Sequence, residues 1–246
     1  MVQIVEYSLR ITPGLILIAI AFILFPRNYL MTKIFLLIFG FILLRDTMTP
    51  IGFWNFGVVE NVIWLRFIDN PIILIFLAVT SLFVALLINY LNPQLARYLK
   101  WFTEEPKLKS FALGLVASCI TVLPFIIPYF FSPIETRGGK VAATLLPALF
   151  LLAILGNLLE EILFRGYLQG YLQEHFTTAK SILLSGLIFS IGHVFLASTV
   201  TDLGPLILIF TLWEGLICAV IYHRYGLIAA TATHGITIFI LSSGVI

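Results

Sequence analysis

The sequence predicts an all-α polytopic membrane protein, with about eight transmembrane helices enclosing an intramembrane cavity. Three observations predict it. Of 246 residues, 61% are hydrophobic and 11% charged, against roughly 45–50% and 25% in an average soluble domain. Mean hydropathy is +1.09, which leaves more apolar surface than a soluble fold of this length can hide. The apolar stretches are also continuous, with none of the residue-by-residue alternation of an outer-membrane barrel.

Runs long enough to cross a bilayer as helices are expected at about 11–25, 31–45, 71–91, 110–131, 142–173, 180–197, 204–223 and 226–243. The first ends in Pro26-Arg27-Asn28 without a small-residue cleavage pattern, so it reads as a retained helix and not a signal peptide. Between the second and third, Pro50 to Asn70 mixes Phe53, Trp54, Phe56, Trp64 and Phe67 with Glu60, Arg66 and Asp69. That mixture is typical of a segment lying in the headgroup region. Pro124 and Pro128 each remove a backbone donor and are expected to kink the fourth helix. The fifth run exceeds one crossing, so its second half, around Gly166 to Glu174, should emerge into the interface or water.

Cys119 and Cys218 lie within apolar runs and lack CxxC spacing, so both read as plain core residues. The net charge of +2 gives no reason to expect nucleic acid. No composition shift marks a second domain. Residues 1–140 form helices one to four with the interfacial segment at about 50–70, and 141–246 form helices five to eight. Placing the amino terminus outside puts nine lysines and arginines in inside loops and five outside, which favours that orientation.

Charges are scarce enough for each to need a reason, and they concentrate at Glu160-Glu161 and Arg165. An ionisable side chain in a membrane segment costs roughly 2.5–3.5 kcal/mol on insertion scales, so such residues are usually paired or functional. His193 and His234 follow on later apolar runs. Glu161 and His193 each lie roughly 20 Å along their helices from the turn near Glu174 to Lys180, depths compatible with one cavity reached from the inside face. Glu161 and Arg165 share a face at i and i+4, in the favourable order for an ion pair. Glu160 is rotated by about 100° and is left free for chemistry. A carboxylate beside a neutral imidazole can hold and deprotonate water. Glu214, in mid-span, could line the cavity, pair with a buried arginine or stay protonated.

Three blocks carry a resemblance: Glu160-Glu161-x-x-x-Arg165, Phe189-x-x-x-His193 and the late His234. They resemble the CAAX protease and bacteriocin-processing (CPBP, or Abi) family, which includes the type II CAAX prenyl endopeptidases. Phe210, Gly215, Tyr222 and Gly226 also fall where that family's last two helices carry similar residues. The resemblance covers about Leu145 to Phe239 and implies an eight-helix intramembrane endopeptidase without a cofactor. It implies that Glu160 and His193 activate water and that His234 helps to stabilise the oxyanion. Its implied partners are the bilayer and a membrane-associated peptide or protein substrate; the orientation and depths above put the opening of the site on the cytoplasmic side. The family usually places Asn or Asp four residues after the second histidine, where this chain has Ile238. Thr237, on roughly the same face as His234, could offer a hydroxyl instead.

Two alternatives stay open at this point. Glu160, His193 and His234 could be the three protein ligands of a catalytic zinc, although no HExxH motif gathers two imidazoles on one helix turn. The Ile238 departure also leaves room for a non-proteolytic membrane protein of the same fold, an immunity factor or scaffold.

Overall fold

The computed structural model describes residues 2–59, 62–201 and 203–244. Helices α1 (Val2–Leu24) and α2 (Leu30–Asp46) form an antiparallel pair on one side of the molecule. Small residues bring them together: a Cβ on Gly14 would lie 3.1 Å from Leu43, and one on Gly40 would lie 3.6 Å from Ile18. The outer face of α1 is unburied, as expected of a helix bathed in lipid.

The aromatic segment expected in the headgroup region is a β-hairpin, β1 (Trp54–Val59) and β2 (Val62–Phe67). Trp54 lies opposite Phe67 and Val59 opposite Val62; Glu60 lies outside the described residues. Valine, isoleucine and aromatic side chains suit a pleated, half-buried surface. One face, with Trp54, Phe56, Leu65 and Phe67, looks inward onto a cavity. On the other, the Trp64 indole lies flat over Gly57, where an added Cβ would be 2.4 Å from the ring.

Helix α3 (Pro71–Leu91) starts cleanly, because Asn70 Oδ1 accepts from the Ile72 and Ile73 amides at 3.0 and 3.2 Å. Such a cap satisfies donors that the first turn cannot pair internally. The single turn α4 (Pro93–Ala96) leads to α5 (Lys107–Ile126), which passes into a 3₁₀ turn at Ile127–Phe131. Pro124 and Pro128 flank that change, so the expected kink takes the form of a tightened helix end.

Helix α6 (Leu146–Glu161) runs on through a π-helical stretch, Ile162–Gln169, into α7 (Gly170–His175). The stretch expected to emerge is instead buried on one side: a Cβ on Gly170 would lie 2.7 Å from Tyr98 Cβ. Its charged end, Glu174, meets Tyr98 Oη at 3.0 Å and Arg97 at 3.3 Å. Helices α8 (Thr178–Ile191), α9 (Pro205–Tyr225) and α10 (Leu227–Ser243) complete the bundle. Gly114, Gly186, Gly215 and Gly235 sit where helices touch; an added Cβ at Gly114 would be 2.7 Å from the Ala229 carbonyl. Small residues at crossings are how membrane helices gain close contact.

Among the described residues, six helices are long and apolar enough to cross a membrane. The other two expected positions hold helices of 17 residues each, α2 and α10. The chain is a multi-pass helical membrane protein.

The bundle has two distinct ends. At one, Arg66 of the hairpin donates to the Gly139 and Leu241 carbonyls at 3.0 and 3.1 Å. At the other, the Leu227 amide donates to Lys100 at 2.7 Å and Thr103 to the Arg224 carbonyl at 3.0 Å. Between this second end and the mid-membrane, Tyr98, Phe164, Tyr167, Leu168, Leu172 and Tyr222 form a dense buried cluster.

Candidate active site

Glu160 and Glu161 close α6, and the π-helical widening after them turns the next residues toward α9. Arg165 Nη2 donates to the Gly215 carbonyl at 3.1 Å, and one turn later Gln169 donates to Ala219 at 2.9 Å. Short π-helical insertions of this kind are frequent at functional sites. Glu161 Oε1 lies 3.0 Å from Arg165 Nη1, both side chains fully buried. Arg165 Nη1 is not aligned for a hydrogen bond, so the two meet as a charge contact. The guanidinium also lies 4.2 Å over the Phe189 ring.

Glu161 is more than the arginine's partner. Its Oε1 also lies 2.9 Å from His234 Nδ1. A carboxylate can only accept, so Nδ1 carries a proton and the ring is fixed with Nε2 turned toward a second carboxylate, Glu214 Oε2, 3.7 Å away. Glu214 therefore lines the cavity, facing an imidazole and not an arginine.

His193 is oriented by its own helix. Its Nδ1 lies 2.8 Å from the Phe189 carbonyl, which accepts and so assigns the proton to Nδ1, leaving a lone pair on Nε2. The Phe189 ring is tilted against His193 at 4.7 Å between centroids and stands edge-on to His234 at 5.6 Å. The Phe-x-x-x-His spacing thus has a physical reason: one residue orients the first imidazole with its carbonyl and touches both with its ring.

Sequence reasoning missed Arg45 and Asp46, the last two residues of α2. Arg45 Nη1 lies 3.0 Å from His193 Nε2 and 3.8 Å from Glu160 Oε1. Its Nη2 donates to the Gly192 carbonyl at 3.0 Å, and its Nε donates to Asp46 Oδ1 at 2.7 Å. Both residues are buried. Little in the sequence signalled them, since charges that end an apolar run are those expected at the membrane surface.

A cavity of about 660 Å³ joins these groups. Its polar end is formed by Arg45, Glu160, His193, Glu214 and His234. Apolar side chains of α1, α2 and α3, such as Phe22, Leu37 and Val84, line the rest, and the hairpin covers one end. Ile238 lines it as well, whereas Thr237 does not. The Thr237 hydroxyl donates to the Thr233 carbonyl at 2.8 Å, on the side facing Ser118 of α5. The structure therefore brings together Glu160, Glu161, Arg165, His193 and His234, and leaves Thr237 outside the group.

A family model described as type II CAAX prenyl endopeptidase Rce1-like matches residues 142–240. No curated protein and no solved structure matches the chain. The matched stretch holds both glutamates, Arg165, both site histidines and Glu214, while Arg45, Asp46 and the hairpin lie before it. This match, over the helices that carry most of the site, supports assigning the chain to the CPBP (CAAX protease) family, a family of proteases.

Proposed function

We propose that the protein is an intramembrane endopeptidase, cleaving a membrane-associated peptide or protein with a water activated by Glu160 and His193. The observation that carries this reading is one apolar cavity ending on a carboxylate, two oriented imidazoles and a guanidinium. Glu160 takes a proton from the water, whose oxygen attacks the scissile carbonyl carbon. His193, with its lone pair on Nε2, holds that water once Arg45 yields the position. His234, held by Glu161 at Nδ1, faces the developing oxyanion with Nε2, which donates to it when the ring carries a second proton there beside Glu214. Collapse of the intermediate breaks the C–N bond, and the proton on Glu160 passes to the leaving amine. Pre-aimed groups of this kind lower the barrier because they need no reorganisation during reaction.

Arg45 bears on the zinc alternative. A guanidinium 3.0 Å from His193 and 3.8 Å from Glu160 sets a positive charge beside the groups a metal would need and disfavours a second cation there. Among the described residues, no three His, Cys, Asp or Glu side chains are grouped to hold a metal ion.

An approach different from the expected one, the inside face, is favoured by where the cavity lies. The buried tyrosine and leucine cluster fills the bundle between the site and the loops at 97–106 and 176–177, while the cavity itself reaches the hairpin. Of the basic residues used for orientation, Lys33, Arg45, Arg66, Arg137 and Arg165 are buried and report little on loop placement. Arg10 and Lys140 remain at the hairpin end, against Arg27, Arg97, Lys100, Lys107, Lys109, Lys180 and Arg224 at the other. That bias favours an outside hairpin. Water then reaches the site from the outer side, and an apolar substrate chain occupies the part of the cavity lined by α1, α2 and α3.

The test is cleavage of a farnesylated, internally quenched CAAX peptide by purified protein in liposomes. The reading expects turnover by the wild type and none by Glu160→Gln. Equal turnover by both would contradict it.

A further inference from the structure

We infer that Arg45, from the amino-terminal half of the chain, is a catalytic residue that donates to the oxyanion where Ile238 cannot. The inference rests on the peptidase reading above and adds a residue lying outside the matched stretch.

Attack on a carbonyl carbon moves the C=O π electrons onto oxygen, and that charge needs donors already in place. The cavity wall at Ile238 offers only hydrocarbon, and Thr237 spends its hydroxyl on Thr233. Arg45 is the one guanidinium lining the cavity among the described residues. Arg165 lies behind the wall, fully buried against Glu161, Gly215 and Phe189.

A guanidinium has five N–H groups in a rigid fork. In Arg45 one goes to Asp46, one to the Gly192 carbonyl and one to His193 Nε2. Each Nη therefore keeps one further N–H, and none of the described groups takes either. Asp46 and Gly192 hold the fork from behind, so Nη1 can swing off His193 to admit water while the guanidinium stays in the site. Nη1 also touches both members of the water-activating pair, which puts these donors beside the carbon that water attacks.

The sequence of contacts follows. The incoming water takes the His193 lone pair, which releases the Nη1–H that held it. Glu160 accepts the water's proton as the carbon–oxygen bond forms. The released Nη1–H and the spare Nη2–H then meet the oxyanion together with His234. On collapse the oxygen's electrons re-form the carbonyl, the C–N bond breaks, and Glu160 returns its proton to the nitrogen. Arg45 gains and loses no proton in the cycle.

The experiment compares wild type, Arg45→Met, Arg45→Lys, Ile238→Asn and Arg45→Met/Ile238→Asn, as full-length protein in liposomes with the farnesylated quenched peptide. Melting temperature is read on the same samples. Wild-type turnover tests the peptidase reading by itself, and the variants then judge Arg45. Arg45→Met is expected to lower kcat about 10²–10³-fold, the usual effect of losing one oxyanion donor, with KM changed by less than about threefold. Arg45→Lys keeps the charge but not the fork and should fall between the two. Adding Ile238→Asn to Arg45→Met supplies an amide donor at the same wall and should restore kcat by about tenfold. An Arg45→Met variant that keeps kcat within about threefold of wild type overturns the assignment. So does a loss in Arg45→Lys that follows its melting temperature and appears in KM, since that pattern belongs to a structural residue.

Discussion

Glu161 and His234, 73 positions apart, meet at 2.9 Å inside the bundle, and the same carboxylate oxygen lies 3.0 Å from Arg165. One carboxylate thus fixes α10 to α6 and orients an imidazole. Removing either charged partner strands the other in a buried site, at a cost of about 3–5 kcal/mol. Glu161→Ala and Arg165→Ala are therefore expected to lower the melting temperature as well as turnover. Replacing both by apolar residues should recover part of the stability, because no unpaired charge remains. Turnover should stay low in that double variant, since His234 has lost its anchor. Thermal melts in detergent alongside cleavage assays check both halves.

Thr237→Val is expected to behave mildly. Its hydroxyl bonds the Thr233 carbonyl within α10 and faces α5, so its loss should cost about 1 kcal/mol of stability. kcat should remain within about twofold of wild type. A loss of two orders of magnitude in kcat would show that the hydroxyl turns into the cavity during reaction, contrary to this placement.

Gly235 is the residue after His234, and an added Cβ there would lie 2.9 Å from the Ala153 carbonyl and 2.8 Å from Ile154 Cδ1. The carbonyl belongs to α6, the helix that carries Glu160, and cannot move alone. Gly235→Ala should push α10 away from α6, destabilise by about 1–3 kcal/mol through overpacking, and reduce turnover by misplacing His234. A melting curve and a kcat unchanged from wild type would contradict the close approach.

The orientation can be read by labelling. With Cys119 and Cys218 replaced by alanine, a cysteine introduced by Val58→Cys, on an exposed part of β1, should react with a membrane-impermeant maleimide in intact cells. One introduced by Lys180→Cys should react only after permeabilisation. The opposite pattern would place the hairpin, and the water route to the site, in the cytoplasm.

Much of the candidate site in the carboxy-terminal half was legible because its logic is local or costly. The i, i+4 spacing of Glu161 and Arg165 announces a contact, and the structure has it at 3.0 Å. His193 and His234 stand out because polar residues in apolar helices need a reason. What could not be read was long-range. Arg45 sits 148 positions from His193, and at the end of an apolar run it resembles an ordinary loop charge. Nor does spacing reveal that Glu161 serves His234 as well as Arg165. The hairpin had a legible signal, two β-branched and aromatic runs either side of Glu60-Asn61. The same residues suit a headgroup segment equally well, and only tertiary contact with Gly138 and α10 decides between them. Thr237 looked available because it is three residues from His234, but the helix turns its hydroxyl toward α5.

The most direct test of the account is the kcat of Glu160→Gln and His193→Ala in liposomes, each verified as inserted and folded by its melting temperature. Glu160 contacts Arg45 only at 3.8 Å, so the glutamine should fold normally and yet leave no base for the water. Both variants are expected to lose turnover by at least about 10²-fold, the usual range for removing a general base, while still accumulating in the membrane. Full turnover by either folded variant would contradict water activation by this pair.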